Sequence, residues 1–241
     1  MPRVTKPIDL TIIIPALNEA DIIERSLDRL ATYIKKDLST IVCEVIVVAA
    51  KDKDNTGVIA ARSAKKFTHF TLIEPKNRVG KGRDVSLGFK AAKGKIQVFT
   101  DADLAIPLVN IKKAFNILST QSSNAAVFGV RMQKHSSFVR KFISFWSSLL
   151  NRVLFMTKIS DLQCGFKAFT AGAATLGFTD LKTQGWSFDV EIFVKLREAK
   201  VPVIALPITR WDSDTHHLGG ENLLKASVNS FIEMLKIRVR F

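Results

Sequence analysis

The chain has 241 residues, 47% of them hydrophobic and 17 of them Phe, with a formal net charge of +14. That length suits one large α/β domain and is short for two, and the apolar content excludes a disordered chain. Such an excess of positive charge draws anionic partners, whether nucleic acid, an anionic membrane surface or phosphorylated ligands.

Cys43 and Cys164 stand in unrelated contexts and offer neither disulfide nor metal-ligand spacing, which fits a reducing cytoplasm. The polar opening before the first apolar run does not read as a secretory leader. No apolar run reaches the ~20 residues of a spanning helix, so the chain is not expected to be integral to a membrane by itself.

In chain order, Leu10-Thr-Ile-Ile-Ile-Pro15 reads as a buried strand, followed by a helix opening at Asn18-Glu19 with Asn18 as N-cap and running to about Lys36. Val45-Ile-Val-Val48 is the second strand, and a helix starts at Asp54-Asn-Thr56. Phe70 to Ile73, a helix from Val85 to Ala92 and a strand from Lys95 to Thr100 complete the repeated βα units. Apolar strands alternating with helices predict a mostly parallel sheet covered on both faces. Beyond Pro107 come a helix over about 109–119 and a strand over 125–130 ending at Arg131. An amphipathic segment from 138 to 156 follows, then a short strand over 166–170, a helix over 188–199 and a strand over 201–206. The last helix runs over about 221–236, with Leu224, Val228, Phe231, Ile232 and Leu235 on one face. No internal repeat, low-complexity tract or linker divides the chain.

Two carboxylates spaced i, i+2, Asp101 and Asp103, follow the apolar run 96–99. On a strand that spacing puts both on one face, and Mg²⁺ is commonly held by one or two carboxylates together with substrate phosphates. The tripeptide alone admits a second reading, with Asp103 capping the helix near Pro107 and Asp101 solvated at a strand end. Asn77-Arg-Val-Gly-Lys-Gly-Arg-Asp84 enters a helix with two glycines, and Lys81, Arg83 and the helix start favour phosphate. Its spacing matches neither a P-loop nor the dinucleotide fingerprint.

Six motifs occur in one order: Ile13-Ile-Pro-Ala-Leu-Asn-Glu19, Glu44 to Val48 with Asp54-Asn-Thr56, Asn77 to Gly82, Asp101 to Pro107, Asp161-Leu-Gln-Cys-Gly-Phe-Lys-Ala-Phe169 and Trp186-Ser-Phe-Asp-Val-Glu191. Together they resemble the family-2 inverting glycosyltransferases. They are similar to the branch of dolichyl-phosphate β-glucosyltransferases and dolichyl-phosphate mannose synthases, nearer the former. The likeness covers about 10–237.

The resemblance implies a single Rossmann-like GT-A domain over 1–241. Its donor-binding part covers about 8–107, and its acceptor- and membrane-facing part about 108–241. It implies a nucleotide-sugar donor (UDP-glucose or GDP-mannose), Mg²⁺ or Mn²⁺, a polyprenyl phosphate acceptor, and inversion by in-line attack. On that reading Pro15, Asn18, Glu19, Asp52, Lys81 and Gly82 line the donor site. Asp101 and Asp103 bind metal and donor phosphates, and Asp161 joins them as a catalytic residue. Gln163, Lys167, Asp189 and Glu191 are further candidates from the later motifs. An acceptor phosphate is already anionic, so a strong general base is less necessary than for a hydroxyl.

Two departures stand out. Where the family usually carries Asp-Asp-Gly-Ser, this chain has Ala49-Ala-Lys-Asp52, which removes a carboxylate that contacts the base; Asp52 or Asp54 are the substitutes at hand. Near the C-terminus His216-His217 stands at about the place of a Ser-Lys pair, within a loop from Trp211 to Gly220. These histidines bind phosphate or metal, or sit in a solvated loop.

In the segment 138–156, Phe138, Phe142, Phe145, Trp146, Leu149, Leu150, Val153 and Met156 share one face, and Arg140, Lys141 and Arg152 the other. It reads equally as a core-facing helix or an interfacial membrane helix; the resemblance favours the membrane. Arg131, Arg140 and Lys141 are then the acceptor-phosphate candidates. The expectation is a peripheral protein on the cytosolic face of a membrane, with room for a membrane-anchoring partner or a homo-oligomer. A nucleic-acid partner is not expected, because no recognisable module accompanies the charge. A non-catalytic homologue remains the competing reading, carried by Ala49-Ala50.

Overall fold

The computed structural model describes residues 6–50, 54–77, 79–132, 154–211 and 223–241. Asp52, Arg140, Lys141, His216 and His217, and the amphipathic stretch up to residue 153, lie outside them.

The strands are β1 (Leu10–Ala16), β2 (Cys43–Ala49), β3 (His69–Ile73), β4 (Ile96–Thr100), β5 (Ala126–Arg131), β6 (Phe166–Thr170) and β7 (Val203–Ile208). They form one sheet in the order β3-β2-β1-β4-β6-β5-β7. All neighbours pair in parallel except β6, which runs antiparallel to both β4 and β5. The helices are α1 (Ile23–Asp37), α2 (Thr56–Arg62), α3 (Lys81–Ala91), α4 (Val109–Ser119), α5 (Ala171–Phe178), α6 (Phe188–Glu198) and α7 (Leu223–Arg240).

The apolar strands follow from burial on both faces. In β1, Leu10, Ile12 and Ile14 pack with Ile23, Leu27 and Leu30 of α1 and with Ile111, Ala114 and Leu118 of α4. Ile13 points the other way, into a second core with Val85 and Phe89 of α3, Phe178 of α5, Val190 of α6, and Met234 and Ile237 of α7. The period of two is hidden in the sequence because both faces are covered.

Several bounds shift by two to four residues, α3 starting at Lys81 and the last helix running on to Arg240, and two differences are larger. Asn18 does not cap α1: it adopts φ 56°, a turn bonds Ile22 N and Ile23 N to Glu19 O at 3.0 and 2.8 Å, and the helix starts at Ile23. The Glu19 and Ala20 amides are instead tied to the start of α2, on Thr56 Oγ1 at 2.9 Å and Asp54 Oδ2 at 3.0 Å. Helix α5 was not expected, since Ala-Gly-Ala-Ala-Thr-Leu-Gly-Phe has no polar face and two glycines. Packing under β6 holds it, and Thr170 caps it by accepting from Ala173 N at 3.4 Å.

Among the described residues no helix is long and apolar enough to cross a membrane.

Candidate active site

The sheet reverses its winding between β1 and β4, the position where open α/β sheets bind ligands beyond the strand ends. The two strands part there: β1 pairs with β4 only as far as Ile13↔Phe99, while its pairing with β2 continues to Ala16↔Ala49. Pro15, which has no N–H to donate, sits in the stretch of β1 that has left β4. The crevice is flanked by Asn18 and Glu19 on one side and by Asp101 and Asp103 on the other.

Asp101 and Asp103 lie past the end of β4, so the alternation of a strand is not what aligns them. A turn does so, closed by Leu104 N on Asp101 O at 3.1 Å, with Leu104 at φ 50°. A non-glycine residue in that region costs energy and persists where its surroundings hold it; Leu104 is 2% exposed. Nor does Asp103 cap a helix. Its Oδ1 accepts from Ala105 N at 3.0 Å, and α4 starts only at Val109.

The Glu19 carboxyl is pushed up to about 7, first by burial and then by the negative charges of Asp103 and Asp101. Negative potential therefore accumulates at this edge. Among the described residues no three His, Cys, Asp or Glu side chains are grouped closely enough to hold a metal ion alone. Two carboxylates completed by ligand phosphates are the usual Mg²⁺ arrangement, so the donor set of Asp101 and Asp103 fits Mg²⁺ or Mn²⁺.

Lys81, in the first turn of α3, lies 2.6 Å from Asp101 Oδ1. Its ammonium stands 5.1 Å from the Trp186 ring and 5.5 Å from the Phe99 ring. Burial works against that charge, but contact with Asp101 outweighs it and holds the ammonium above its ordinary range. The glycines beside it do not open the backbone to a ligand phosphate, as their sequence suggests. Gly82 N already donates to Gln184 O at 2.9 Å, and a Cβ on Gly82 would meet the Phe188 Cβ at 2.6 Å. They let the 183–185 loop close over α3.

Because β6 is antiparallel, the loop before it arrives at the same edge as the ends of β1 and β4. Thr100 pairs with Phe166, and the Gly165 that precedes Phe166 faces Asp101 so closely that a Cβ there would fall 1.9 Å from Asp101 Oδ2. Asp161 in the same loop receives Arg131 Nε at 2.7 Å and Arg131 Nη2 at 3.0 Å. The Trp211 ring lies 5.2 Å from that guanidinium. Burial disfavours the Arg131 charge, and the Asp161 carboxylate more than compensates.

The later motifs divide. Lys167, 1% exposed, pairs with Asp189 at 2.8 Å and donates to Cys164 O at 2.7 Å, with the Phe128 ring 5.1 Å away. Burial raises the Asp189 carboxyl, against the pull of Lys167. This pair lies beneath the crevice. Glu191 is a loop anchor that accepts from Lys182 N, Thr183 N and Arg240, and Gln163 donates to Ser230 Oγ at 3.1 Å. Asp54 is held below the usual carboxylate range: burial raises it, but bonds from Thr56 and Ala20 prevail. Those bonds hold it in place within the loop. Both thiols are pushed up to about 12 by burial and are inert.

Sequence reasoning passed over Trp186, Trp211 and Gly165. The first two back the cations of the site and the third abuts Asp101; all three stood in or beside motifs already singled out.

Residues 11–178 match the family described as Glycosyl transferase family 2. A dolichyl-phosphate beta-glucosyltransferase of Trichomonas vaginalis is 28% identical over 256 residues, covering 100% of this chain and 74% of that protein. One of the same name from Drosophila melanogaster is 30% identical over 222 residues, covering 85% and 67%. A glucosyl-3-phosphoglycerate synthase of Mycobacterium tuberculosis, solved with Mn²⁺, uridine diphosphate and glucosyl-3-phosphoglycerate, superposes with a TM-score of 0.70 at 17% identity, covering 95% and 79%. That likeness shows the fold, which is GT-A.

Proposed function

The chain belongs to glycosyl transferase family 2, and from that premise we propose that it moves a glucosyl group from UDP-glucose to dolichyl phosphate or a related polyprenyl phosphate, with inversion. The observation that carries this reading is the gathering of Glu19, Asp101 and Asp103 at the reversal of the sheet, opposite the Arg131–Asp161 pair. The curated relatives' names support glucose over mannose.

Asp101 and Asp103 would hold Mg²⁺ or Mn²⁺ against the donor diphosphate, where the ion supplies Lewis-acid stabilisation of the leaving group. Lys81 adds a fixed positive charge beside them, in place before charge develops on the departing oxygen. Arg131 presents its remaining donors to the acceptor phosphate, since a guanidinium has five N–H groups and Asp161 engages only two of its nitrogens. Asp161 is then a positioning residue, clamped on Arg131. The acceptor oxygen attacks as an anion and needs no strong base.

The decisive experiment incubates the protein with membranes containing dolichyl phosphate and either labelled UDP-glucose or labelled GDP-mannose, then extracts lipid. Labelled lipid from UDP-glucose, abolished by Asp103→Ala, is expected. Label only from GDP-mannose overturns the donor assignment, and full activity of Asp103→Ala overturns the metal site. A second reading, a non-catalytic homologue, is favoured by one observation: Ala49 and Ala50 are buried at the end of β2 where a base-contacting carboxylate is usual. Calorimetry of UDP-glucose with and without Mg²⁺ separates the two, because only the enzyme needs metal-dependent donor binding.

A further inference from the structure

Helix α7 is apolar on two opposite sides. Inward, Met234 and Ile237 are buried in the second core. Outward, Phe231, Ile232, Leu235 and Val239 are 42%, 43%, 41% and 90% exposed. At 3.6 residues per turn these four occupy a sector of about 100°. The exposed cations Arg238 and Lys236 border it on either side. The stripe that the sequence marks on this helix is thus the outward one for all its described members.

Single exposed apolar residues are ordinary, but a contiguous stripe on a helix whose core face is already buried needs another occupant. A large apolar face rimmed by Lys and Arg is the composition of helices that lie in a lipid interface, with cations at headgroup level. The cores of protein interfaces, by contrast, are depleted of Lys.

We infer that the outward face of α7 seats the protein on the surface of an anionic lipid membrane. The inference rests on the proposed lipid-linked acceptor. It also assigns the helix a second task, because its inward side holds the site loops. Ser187 N donates to Glu233 Oε2 at 2.9 Å, Gln163 to Ser230 Oγ, and Arg240 to Glu191 at 3.2 Å. Trp186, next to Ser187, stands over Lys81. Seating α7 on the bilayer therefore holds the Lys81–Asp101 edge in a fixed position relative to the lipid surface.

The test sediments the full chain with vesicles of phosphatidylcholine mixed with phosphatidylserine, and with pure phosphatidylcholine. The wild type should prefer the mixed vesicles and release in salt. Phe231→Ser/Leu235→Ser/Val239→Ser should lower vesicle affinity about tenfold or more, with melting temperature and Mg²⁺-dependent UDP-glucose binding unchanged. Lys236→Glu/Arg238→Glu should erase the preference for phosphatidylserine while leaving the apolar stripe intact. Wild-type sedimentation of both variants overturns the inference. So does a wild type that is dimeric without vesicles while the triple variant is monomeric, because the face then meets a second copy. Absence of UDP-glucose binding with vesicle binding intact overturns the functional reading instead.

Discussion

Arg131 and Asp161 meet edge to edge, Nε on Oδ2 at 2.7 Å and Nη2 on Oδ1 at 3.0 Å, across thirty positions of sequence. The pair fixes the plane of the guanidinium, and with it the direction of every donor Asp161 does not take. Asp161→Asn should raise KM for the polyprenyl phosphate about tenfold or more while leaving UDP-glucose affinity unchanged. Arg131→Lys should do the same, since an ammonium cannot reproduce two parallel bonds. Steady-state kinetics against both substrates is the measurement, and an equal effect on donor affinity would contradict the assignment.

Gly165→Ala offers a cleaner probe of Asp101 than removing the carboxylate. The new Cβ would crowd Asp101 Oδ2, the far end of a flexible side chain, so the fold should survive with a small change in melting temperature. Asp101 should turn away from Lys81. Metal-dependent UDP-glucose binding by calorimetry is expected to weaken about tenfold or more, because a displaced ligand loses its preorganised place. Unchanged binding would mean that Asp101 does not touch the donor.

Glu19 gives the protein a pH signature. Its carboxyl titrates near 7 in the folded chain against 4.5 when unperturbed, so between those values the folded state keeps a proton that the unfolded state has lost. Stability from this group is present below about pH 4.5 and falls as pH rises toward 7. Glu19→Gln removes that slope. Melting curves without metal or donor should show the variant gaining on the wild type between pH 5 and pH 7.

The Lys167–Asp189 pair is almost wholly buried, and breaking one half strands the other charge. Lys167→Met should cost about 3–5 kcal/mol in urea unfolding. Lys167→Met/Asp189→Leu should recover part of the loss, since a neutral pair of similar volume has no charge to strand. A double variant as unstable as the sum of the singles would show that the two do not act as a pair.

The strands and the crevice were legible because fully buried parallel strands are uninterrupted apolar runs and because the acidic pair followed one of them. What escaped was whatever depends on distant partners. Nothing in Phe166–Thr170 announces that β6 runs antiparallel, and that direction brings Gly165 to Asp101. Asn18 looks like a helix cap until Thr56 and Asp54 claim the amides it precedes. The Gly80–Gly82 loop resembles a phosphate cradle until the 183–185 loop fills it. The outer stripe of α7 was visible as periodicity, but periodicity does not tell which side faces the core.

The insertion of β6 between two strands that precede it has a consequence for synthesis. When β1 to β5 have left the ribosome, β5 has no neighbour on the side of β4, because the strand that joins them is still unmade. The pairing of Thr100 with Phe166 closes a long loop, a slow and late event in folding. Until then Asp101 has no Gly165 beside it and Arg131 has no Asp161. The nascent half-sheet can be compact, yet these two contacts, which join the early and late halves of the candidate site, come into being together and late.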